Sequence, residues 1–337
     1  MNLAKRIGVI IVWLDMLKRN IPKIFAYVIC FGAICAIFSG CLSISSNGSK
    51  SKNNTTADNQ KSAGYKDPKV LGRIASEEIS ESSGLVNSPC QPDVLWTHND
   101  SGGGAFIYAL DKTGKKLATF KVESAKNTDW EDLAIRREPA GECFLYIGEI
   151  GNNARARGEM FIYKVKEPRV SDATNSSKKN PLSTEAAQAI KFEYPDARND
   201  AETLLVHPST GDIYVLSKSL SGASAVYKLE AGFDSNETNT PEKIADFTVP
   251  AIPNGLLTGG SISPDGKRVV VCDYFAAYEI VLPDTAKNFD EIWKQKPQKI
   301  ELGERAQGEA IAYAADGKAI YATSEEKNSP LIEAKRK

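Results

Sequence analysis

The sequence predicts an all-β fold, a five-bladed β-propeller, from three observations. A short motif recurs five times, and each of the first four copies is followed by three further strand-like runs. The fifth copy is followed by only two such runs, and the segment before the first copy can supply the missing strand. Five copies favour five blades over six. A β-sandwich or an open repeat array is the alternative, but neither explains a last repeat that lacks one strand.

The motif places a small or acidic residue two positions before an aliphatic residue. Its copies occupy residues 81–86, 129–134, 200–205, 258–263 and 307–312. A turn and a run of β-branched and aromatic residues follow each copy, which is typical of a second strand. Polar and apolar residues alternate in the fourth runs at 116–122, 188–194, 243–249 and 299–302. Residues 69–74 resemble these fourth runs, so we expect them to complete the last blade and close the ring.

The first forty residues predict export. Basic residues precede an apolar run at 24–38, which is shorter than the ~20 residues that a transmembrane helix needs. The run ends in Phe-Ser-Gly-Cys at 38–41, which resembles the lipobox of bacterial lipoproteins and implies a lipid on Cys41. An uncleaved signal anchor is the alternative, and a start at Met16 rather than Met1 is a second open point. In either case we expect an extracytoplasmic protein anchored to a membrane of the cell envelope.

These signals divide the chain into three predicted regions. Residues 1–40 form a lipoprotein-type signal peptide, residues 41–66 a flexible tether, and residues 67–337 the propeller. The chain has a formal net charge of -1 and no basic stripe, which argues against nucleic acid as a partner. We expect a monomer that meets the membrane through the lipid on Cys41.

Three cysteines fall within the predicted propeller. An odd number in an oxidising compartment leaves at least one thiol unpaired. Cys90 and Cys143 each lie just before the second strand of neighbouring repeats, so they can meet at one rim and form a disulfide. Cys272 lies in a valine-rich strand and is expected to be buried and apolar. None of the three has the spacing of a zinc site.

The recurrent motif predicts a cation site on the propeller axis. In a propeller the first strand of each blade lines the central channel, so the motif position faces the axis in every repeat. Carboxylates that converge there repel one another unless protons or a cation neutralise them, and oxygen-only donors suit Ca²⁺. The predicted metal ligands are Ser83, Glu131, Glu202, Ser261 (beside Gly260 at the motif position) and Glu309. The alternative is that these side chains accept hydrogen bonds from backbone N–H groups at the strand starts.

Two resemblances accompany this pattern. The order Ser, Glu, Glu, Ser-or-Gly, Glu at successive inner strands resembles that of calcium-activated nucleotidases (apyrases), five-bladed propellers with an axial calcium. This resemblance covers residues 69–332 and implies that the five predicted ligands carry the metal. The phrases at 95–102, 129–132, 146–153 and 258–260 resemble more closely a family of uncharacterised bacterial secreted propeller proteins. That family implies no particular activity.

Loops between second and third strands add a polar collar on the face that carries the motif. The predicted ligand-binding residues of this collar are His98, Asn99, Asp100, Glu149, Asn152, Asn153, Arg155, Lys218, Asp273 and Glu325. His98, Asp129 and Glu131 are the candidates for proton transfer in a hydrolase, although a histidine in a turn is more often simply solvated. His207 lies in a turn on the opposite rim and is expected to be inert.

Three functions fit the sequence. The first is binding of a small molecule or protein partner around an axial divalent cation. The second is calcium-dependent hydrolysis of phosphoesters, nucleotides or lactones, in which the ion polarises the substrate. The third is a structural role in the envelope. The chain has no G-x-S-x-G nucleophile elbow and no P-loop lysine, so serine-hydrolase and P-loop chemistry are disfavoured.

Overall fold

The described part of the chain forms five β-sheets around one axis, the five-bladed β-propeller that the sequence predicts. The computed structural model describes residues 64–170, 175–234 and 236–337. The predicted signal peptide, the lipid site Cys41 and the predicted tether as far as residue 63 lie outside these residues. Within them, no helix is long and apolar enough to cross a membrane.

The strands follow the chain in blade order, after an initial strand, β1 (Lys69–Ile74), that belongs to the last blade. Blade 1 contains β2 (Ser82–Asn87), β3 (Leu95–Asn99), β4 (Phe106–Leu110), β5 (Lys116–Glu123) and β9 (Leu182–Ala186). Blade 2 contains β6 (Asp132–Arg137), β7 (Cys143–Glu149), β8 (Met160–Lys166), β10 (Gln188–Phe192) and β14 (Thr238–Asn239).

The remaining three blades have four strands each. Blade 3 contains β11 (Ala201–Val206), β12 (Ile213–Ser217), β13 (Ser224–Leu229) and β15 (Glu242–Phe247). Blade 4 contains β16 (Gly259–Ile262), β17 (Arg268–Cys272), β18 (Ala277–Val281) and β19 (Gln298–Ile300), with a 3-10 helix, η1 (Phe289–Lys294), before β19. Blade 5 contains β20 (Gly308–Tyr313), β21 (Ala319–Ser324), β22 (Ser329–Lys335) and β1.

The first strand of each blade lies at the axis, and these inner strands are closely packed. β2, β11 and β20 are buried at every residue, because neighbouring blades cover both of their faces. Gly260 shows how close the strands come: a Cβ there would lie 2.9 Å from Thr203 Cγ2 and 3.0 Å from Val270 O. Glycine at this motif position is therefore required by backbone approach.

The predicted ring closure is confirmed. β1 pairs antiparallel with β22, with Lys69 opposite Glu333 and Ile74 opposite Ser329. The last blade is thereby built from both ends of the described chain, and its outer edge is filled. The chain already packs against the propeller before residue 67. Tyr65 is buried, and its hydroxyl donates a 2.6 Å hydrogen bond to Glu279 Oε1 in blade 4.

Two strands were not predicted. β9 adds in parallel to β5 at the outer edge of blade 1, and β14 adds in parallel to β10 at the outer edge of blade 2. Both come from the insertions that lengthen the repeats. An added strand covers the unpaired N–H and C=O groups of an edge, which explains why inserted residues settle there.

Cys90 and Cys143 form a disulfide, with their Cα atoms 6.2 Å apart, and Cys272 is a buried free thiol, as expected. The disulfide links blades 1 and 2 across 53 residues of chain. A Cys90→Ser, Cys143→Ser double variant returns loop entropy to the unfolded chain, so we expect its free energy of unfolding to fall by about 2–4 kcal/mol.

Urea unfolding with and without a thiol reductant measures this effect. The reductant is expected to destabilise the natural protein by a similar amount and to leave the double variant unchanged. Equal stability of the two proteins under oxidising conditions would contradict the prediction.

Candidate functional site

The motif residues lie where the inner strands begin, at the end of the channel called here the motif face. The loops between second and third strands lie on the same face. In β11, Ala201 pairs with Ser217 and Thr203 with Leu216, so Glu202 between them is an extra residue. Glu309 is the extra residue of the same kind in β20. Such bulges take a residue out of the ladder and redirect its side chain.

These bulges and the adjoining loops bring six carboxyl groups together. We call this set the axial acidic cluster, and it consists of Asp100, Asp129, Glu131, Glu202, Glu309 and Glu325. One carboxylate oxygen each of Asp100, Asp129 and Glu131 lies within 4.8 Å of the other two. Glu202 adds its charge to that of Glu131, and Glu325 hydrogen-bonds to Glu309.

Lys218 places a positive charge inside the cluster. It follows β12, its side chain is only 10% exposed, and it forms an ion pair with Glu202. Its Nζ also donates a 2.9 Å hydrogen bond to the hydroxyl of Tyr274. One ammonium group compensates only part of the negative charge of six carboxylates. The pKa values of several of the carboxyl groups are raised accordingly.

Burial, and then the neighbouring carboxylates, raise the pKa values in the cluster. The pKa of Glu131 lies well above its usual range because of burial and the charges of Glu202 and Asp100. Burial raises the pKa of Asp100 to about 8 and that of Glu202 to about 7, although Lys218 opposes the rise at Glu202. Near neutral pH the cluster therefore holds protons unless a cation replaces them.

Several buried oxygens of this region have no hydrogen-bond partner among the described residues. They are Asp100 Oδ1, Glu202 Oε2 and Asn127 Oδ1. Asn127 donates a 2.7 Å hydrogen bond to the backbone oxygen of Asp100, which places it beside the cluster. Carboxylate and amide oxygens are the donors that Ca²⁺ takes. Asn127 lies outside the recurrent motif, so the sequence pattern did not predict it as a site residue.

A glycine lets the chain approach two of the clustered carboxylates, Glu131 and Asp129. A Cβ on Gly151 would lie 2.1 Å from Glu131 Oε1 and 2.6 Å from Asp129 Oδ2. Any larger residue would displace one of these carboxylates. The position lies in the Gly-Asn-Asn phrase after β7, where backbone approach to the cluster explains the glycine.

The predicted metal ligands divide into two groups. Glu131, Glu202 and Glu309 belong to the cluster. Ser83 is buried nearby, but its hydroxyl donates a 2.6 Å hydrogen bond to the backbone oxygen of Glu131. Ser261 Oγ instead accepts a 3.3 Å hydrogen bond from Tyr313 N, at the far end of β20. The structure thus does not bring Ser261 to the cluster, and Asp100 and Asp129 stand beside Glu131 in place of the hydroxyl groups.

Two predicted collar residues build the loops that hold the cluster. Glu149 accepts hydrogen bonds from the backbone N–H groups of Thr128 (2.8 Å) and Asp129 (3.1 Å), and it pairs with Arg157 at 2.7 Å. Asn99 Oδ1 accepts the backbone N–H groups at residues 80 and 81. Both side chains therefore position the loops.

Four further collar residues lie outside the cluster. Asn152 N donates a 2.7 Å hydrogen bond to Asp200 Oδ1, and Asp273 Oδ2 accepts one of 2.8 Å from Tyr278 OH. Asn153 and Arg155 are exposed, and Arg155 has a positive φ of 49°. Of the collar, Asp100, Lys218 and Glu325 are the members that join the cluster.

His98 differs from expectation. It is fully buried in β3, and its ring packs edge-on against Trp130 with centroids 5.6 Å apart. Burial lowers the pKa of His98 to about 4, so the ring is neutral at physiological pH. The expectation of a solvated turn histidine was wrong, because the β3 ladder extends further than the turn-like sequence indicates. His207 does lie in the turn after β11, where its Nδ1 accepts the N–H of Thr210 at 3.1 Å.

A seventh carboxyl group, Asp132, connects blades across the channel. It is fully buried, and burial raises its pKa. Oδ1 accepts the N–H of Leu133 at 2.8 Å, and Oδ2 accepts those of Leu204 at 2.9 Å and Gly260 at 3.2 Å. Asp132 therefore joins blades 2, 3 and 4. Asp132 belongs to the recurrent motif, but the sequence pattern does not indicate that it links three blades.

The raised pKa values predict a pH dependence of stability in the presence of a chelator. Asp100 and Glu202 bind protons more tightly in the folded than in the unfolded protein, where carboxyl pKa values are about 4. The free energy of unfolding is therefore expected to fall as the pH rises from about 7 to above 8, where the histidines are neutral in both the folded and the unfolded protein.

Thermal melts across this pH range, in EDTA and in excess Ca²⁺, measure the effect. Carboxylates with lowered pKa values, such as Asp111 and Asp265, and the buried His98, whose pKa is lowered to about 4, change their contribution to stability only below this range. A melting temperature that rises with pH in EDTA would contradict the prediction.

Comparison with known proteins adds little beyond the fold. No family model and no curated protein matches this chain. Among solved structures, it is similar to the soluble aldose sugar dehydrogenase from Escherichia coli in its apo form, with 10% sequence identity and a TM-score of 0.45. The match covers 80% of this chain and 99% of that chain. A similarity at this level carries no argument about function.

Proposed function

We propose that this protein is a ligand-binding β-propeller of the cell envelope that holds a divalent cation, preferably Ca²⁺, in the axial acidic cluster. The observation that carries the proposal is the approach of carboxylate oxygens of Asp100, Asp129 and Glu131 to within 4.8 Å of one another. Like charges this close stay ionised together only when a cation binds them. The donors are all oxygen, which suits Ca²⁺ better than zinc.

The unpartnered oxygens support the same proposal. Glu202 is only 5% exposed, and its Oε2 has no hydrogen-bond partner among the described residues. A buried carboxylate oxygen without a partner costs free energy, and a cation removes that cost. The structural alternative, in which backbone N–H groups satisfy the motif acids, describes Asp132 and not Glu202.

The exposure of the site indicates where a ligand binds. Asp100 and Asp129 are partly exposed, whereas Glu131 is buried. A cation bound between them would keep one side open to solvent, where an oxygen of a ligand can bind it. The same open side favours a second candidate function, calcium-dependent hydrolysis of phosphoesters, nucleotides or lactones, because a cation used as a Lewis acid needs an exchangeable position.

Location in the envelope completes the proposal. The short apolar run at 24–38 and the lipobox-like segment at 38–41 support a lipid anchor on Cys41. Mass spectrometry of the membrane-extracted protein tests the anchor, because acylation adds the mass of the lipid to a chain that starts at Cys41.

Metal analysis tests the cation. We expect one Ca²⁺ per chain by calcium titration calorimetry, and a melting temperature that rises when Ca²⁺ replaces EDTA. Absence of both effects would contradict the proposal. A hydrolysis screen of nucleotides, phosphoesters and lactones, with Ca²⁺ and with EDTA, then separates the enzyme from the binding protein, since only the enzyme shows calcium-dependent turnover.

A further inference from the structure

Three large apolar side chains are exposed on the motif face. They are Leu220 at 50% exposure, Ile252 at 93% and Phe275 at 51%. Leu220 lies in the loop between β12 and β13, and Phe275 in the loop between β17 and β18. Ile252 lies in the loop that leads into β16. Single exposed apolar residues are common on proteins, but three on neighbouring loops of one face form a patch.

Hydrogen bonds link these three loops to one another. Ser219 N, beside Leu220, donates a 2.8 Å hydrogen bond to Gly255 O in the loop of Ile252. The loops of Leu220 and Phe275 meet through the 2.9 Å hydrogen bond from Lys218 Nζ to Tyr274 OH. The rings of Tyr274 and Phe275 are themselves neighbours, with centroids 6.4 Å apart. We call Leu220, Ile252 and Phe275 the apolar patch.

The apolar patch borders the axial acidic cluster. Lys218, two residues before Leu220, pairs with Glu202 of the cluster, so the two features share one loop. The cluster contains six carboxyl groups and one ammonium group, and a divalent cation would still leave it acidic when ionised. A complementary partner therefore carries positive charge next to apolar surface.

We propose that the apolar patch and the axial acidic cluster form one docking surface for a peptide segment of a protein partner, with aliphatic or aromatic side chains next to a lysine or arginine. The inference rests on the proposed role of the motif face as the ligand-binding face, and it does not require the cation. The apolar side chains would bury Leu220, Ile252 and Phe275, while the basic group would lie over the cluster.

Charge decides between a peptide and a membrane as the occupant. Bilayer surfaces of the cell carry anionic headgroups, which an acidic cluster repels. Membrane-binding loops place exposed basic residues beside their apolar ones, whereas here the basic residue of these loops, Lys218, is only 10% exposed and is paired with Glu202. The chemistry of this face therefore suits a basic and apolar peptide.

Fluorescence anisotropy with three labelled peptides of equal length tests the inference on the purified protein. The first peptide alternates Phe and Leu with Lys, the second replaces Lys by Glu, and the third replaces Phe and Leu by Ser. We expect the first alone to bind, both in EDTA and in Ca²⁺. Binding of the second peptide as tightly as the first, or no binding of the first, would overturn the inference.

Matched variants locate the binding. A Leu220→Ser, Ile252→Ser, Phe275→Ser triple variant is expected to bind the first peptide at least tenfold more weakly. Val281→Ser is the control, because Val281 is 42% exposed but lies at the opposite end of β18. This control variant should bind the first peptide as tightly as the natural protein does. Equal affinity of the triple variant and the control would overturn the inference.

Two further measurements separate this inference from its rivals. Sedimentation with vesicles of phosphatidylglycerol shows whether the patch binds membrane instead, and vesicle binding lost in the triple variant would overturn the peptide assignment. The calcium-dependent melting shift, recorded for every variant, should persist in the triple variant. If the natural protein lacks this shift but binds the first peptide, the cation proposal fails and the docking surface stands.

Discussion

A Glu131→Gln, Glu202→Gln double variant is expected to lose the calcium-dependent rise in melting temperature entirely. Both side chains belong to the axial acidic cluster, and each change removes a negative charge while keeping the shape of the side chain. At a Ca²⁺ concentration 100-fold above the dissociation constant, binding stabilises the natural protein by about 2.7 kcal/mol. The variant should gain almost none of this, because amide oxygens bind Ca²⁺ less strongly than carboxylates do.

The same variant has a second expected property, which distinguishes a lost ligand from a damaged fold. In EDTA at about pH 8 it should remain folded, because the two buried acidic groups that no longer have to ionise offset the loss of the ion pair between Glu202 and Lys218. A Glu185→Gln, Glu242→Gln pair is the control, since both residues are exposed on outer strands. The cation proposal fails if the Glu131 and Glu202 variant keeps the natural calcium response.

An Asp132→Ala variant is expected to lose on the order of 3–6 kcal/mol of unfolding free energy, the largest effect of any single substitution considered. The change leaves the N–H groups of Leu133, Leu204 and Gly260 without their acceptor inside the channel. Each buried, unsatisfied donor costs about 1–3 kcal/mol. Chemical denaturation measures the loss, and calcium binding by the remaining folded protein should persist.

Asp111 provides the matched control. It also accepts three hydrogen bonds, from Thr113 N, Thr113 Oγ1 and Lys115 N, but it does so in the exposed turn between β4 and β5. Water can replace these bonds, so Asp111→Ala should cost about 1 kcal/mol or less. Similar losses for the two variants would show that Asp132 does not connect the blades as described.

Much of the fold could be predicted because propeller blades repeat. The motif located the inner strands, and the short last repeat indicated that residues 69–74 pair with β22, which the structure confirms. The extra strands β9 and β14 were missed, because an inserted segment pairs with an edge that only the assembled sheet provides. The extent of β3 was missed for a similar reason, since partners on both sides extend the ladder through His98.

The candidate site could be predicted only in part. Glu131, Glu202 and Glu309 followed from the motif, because its fixed position approaches the axis in every inner strand and an acid occupies that position in three of the five. Asp100 and Asn127 come from loops of blade 1 and from the connection to blade 2, and nothing in their spacing places them beside Glu131. Ser261 was assigned to the cluster because it neighbours Gly260, but a one-residue step along a strand turns the side chain to the other face.

The number of blades, the strand that closes the ring, and the concentration of acidic side chains at one end of the channel could all be predicted from the amino-acid sequence. These follow from repetition and local pattern, which neighbouring elements do not alter. The folded protein was needed to see which carboxylates meet, which of them accept hydrogen bonds from backbone N–H groups, and where apolar side chains border them. Contacts between blades set these features, and they depend on bulges, loop paths and close backbone approach that no local pattern encodes.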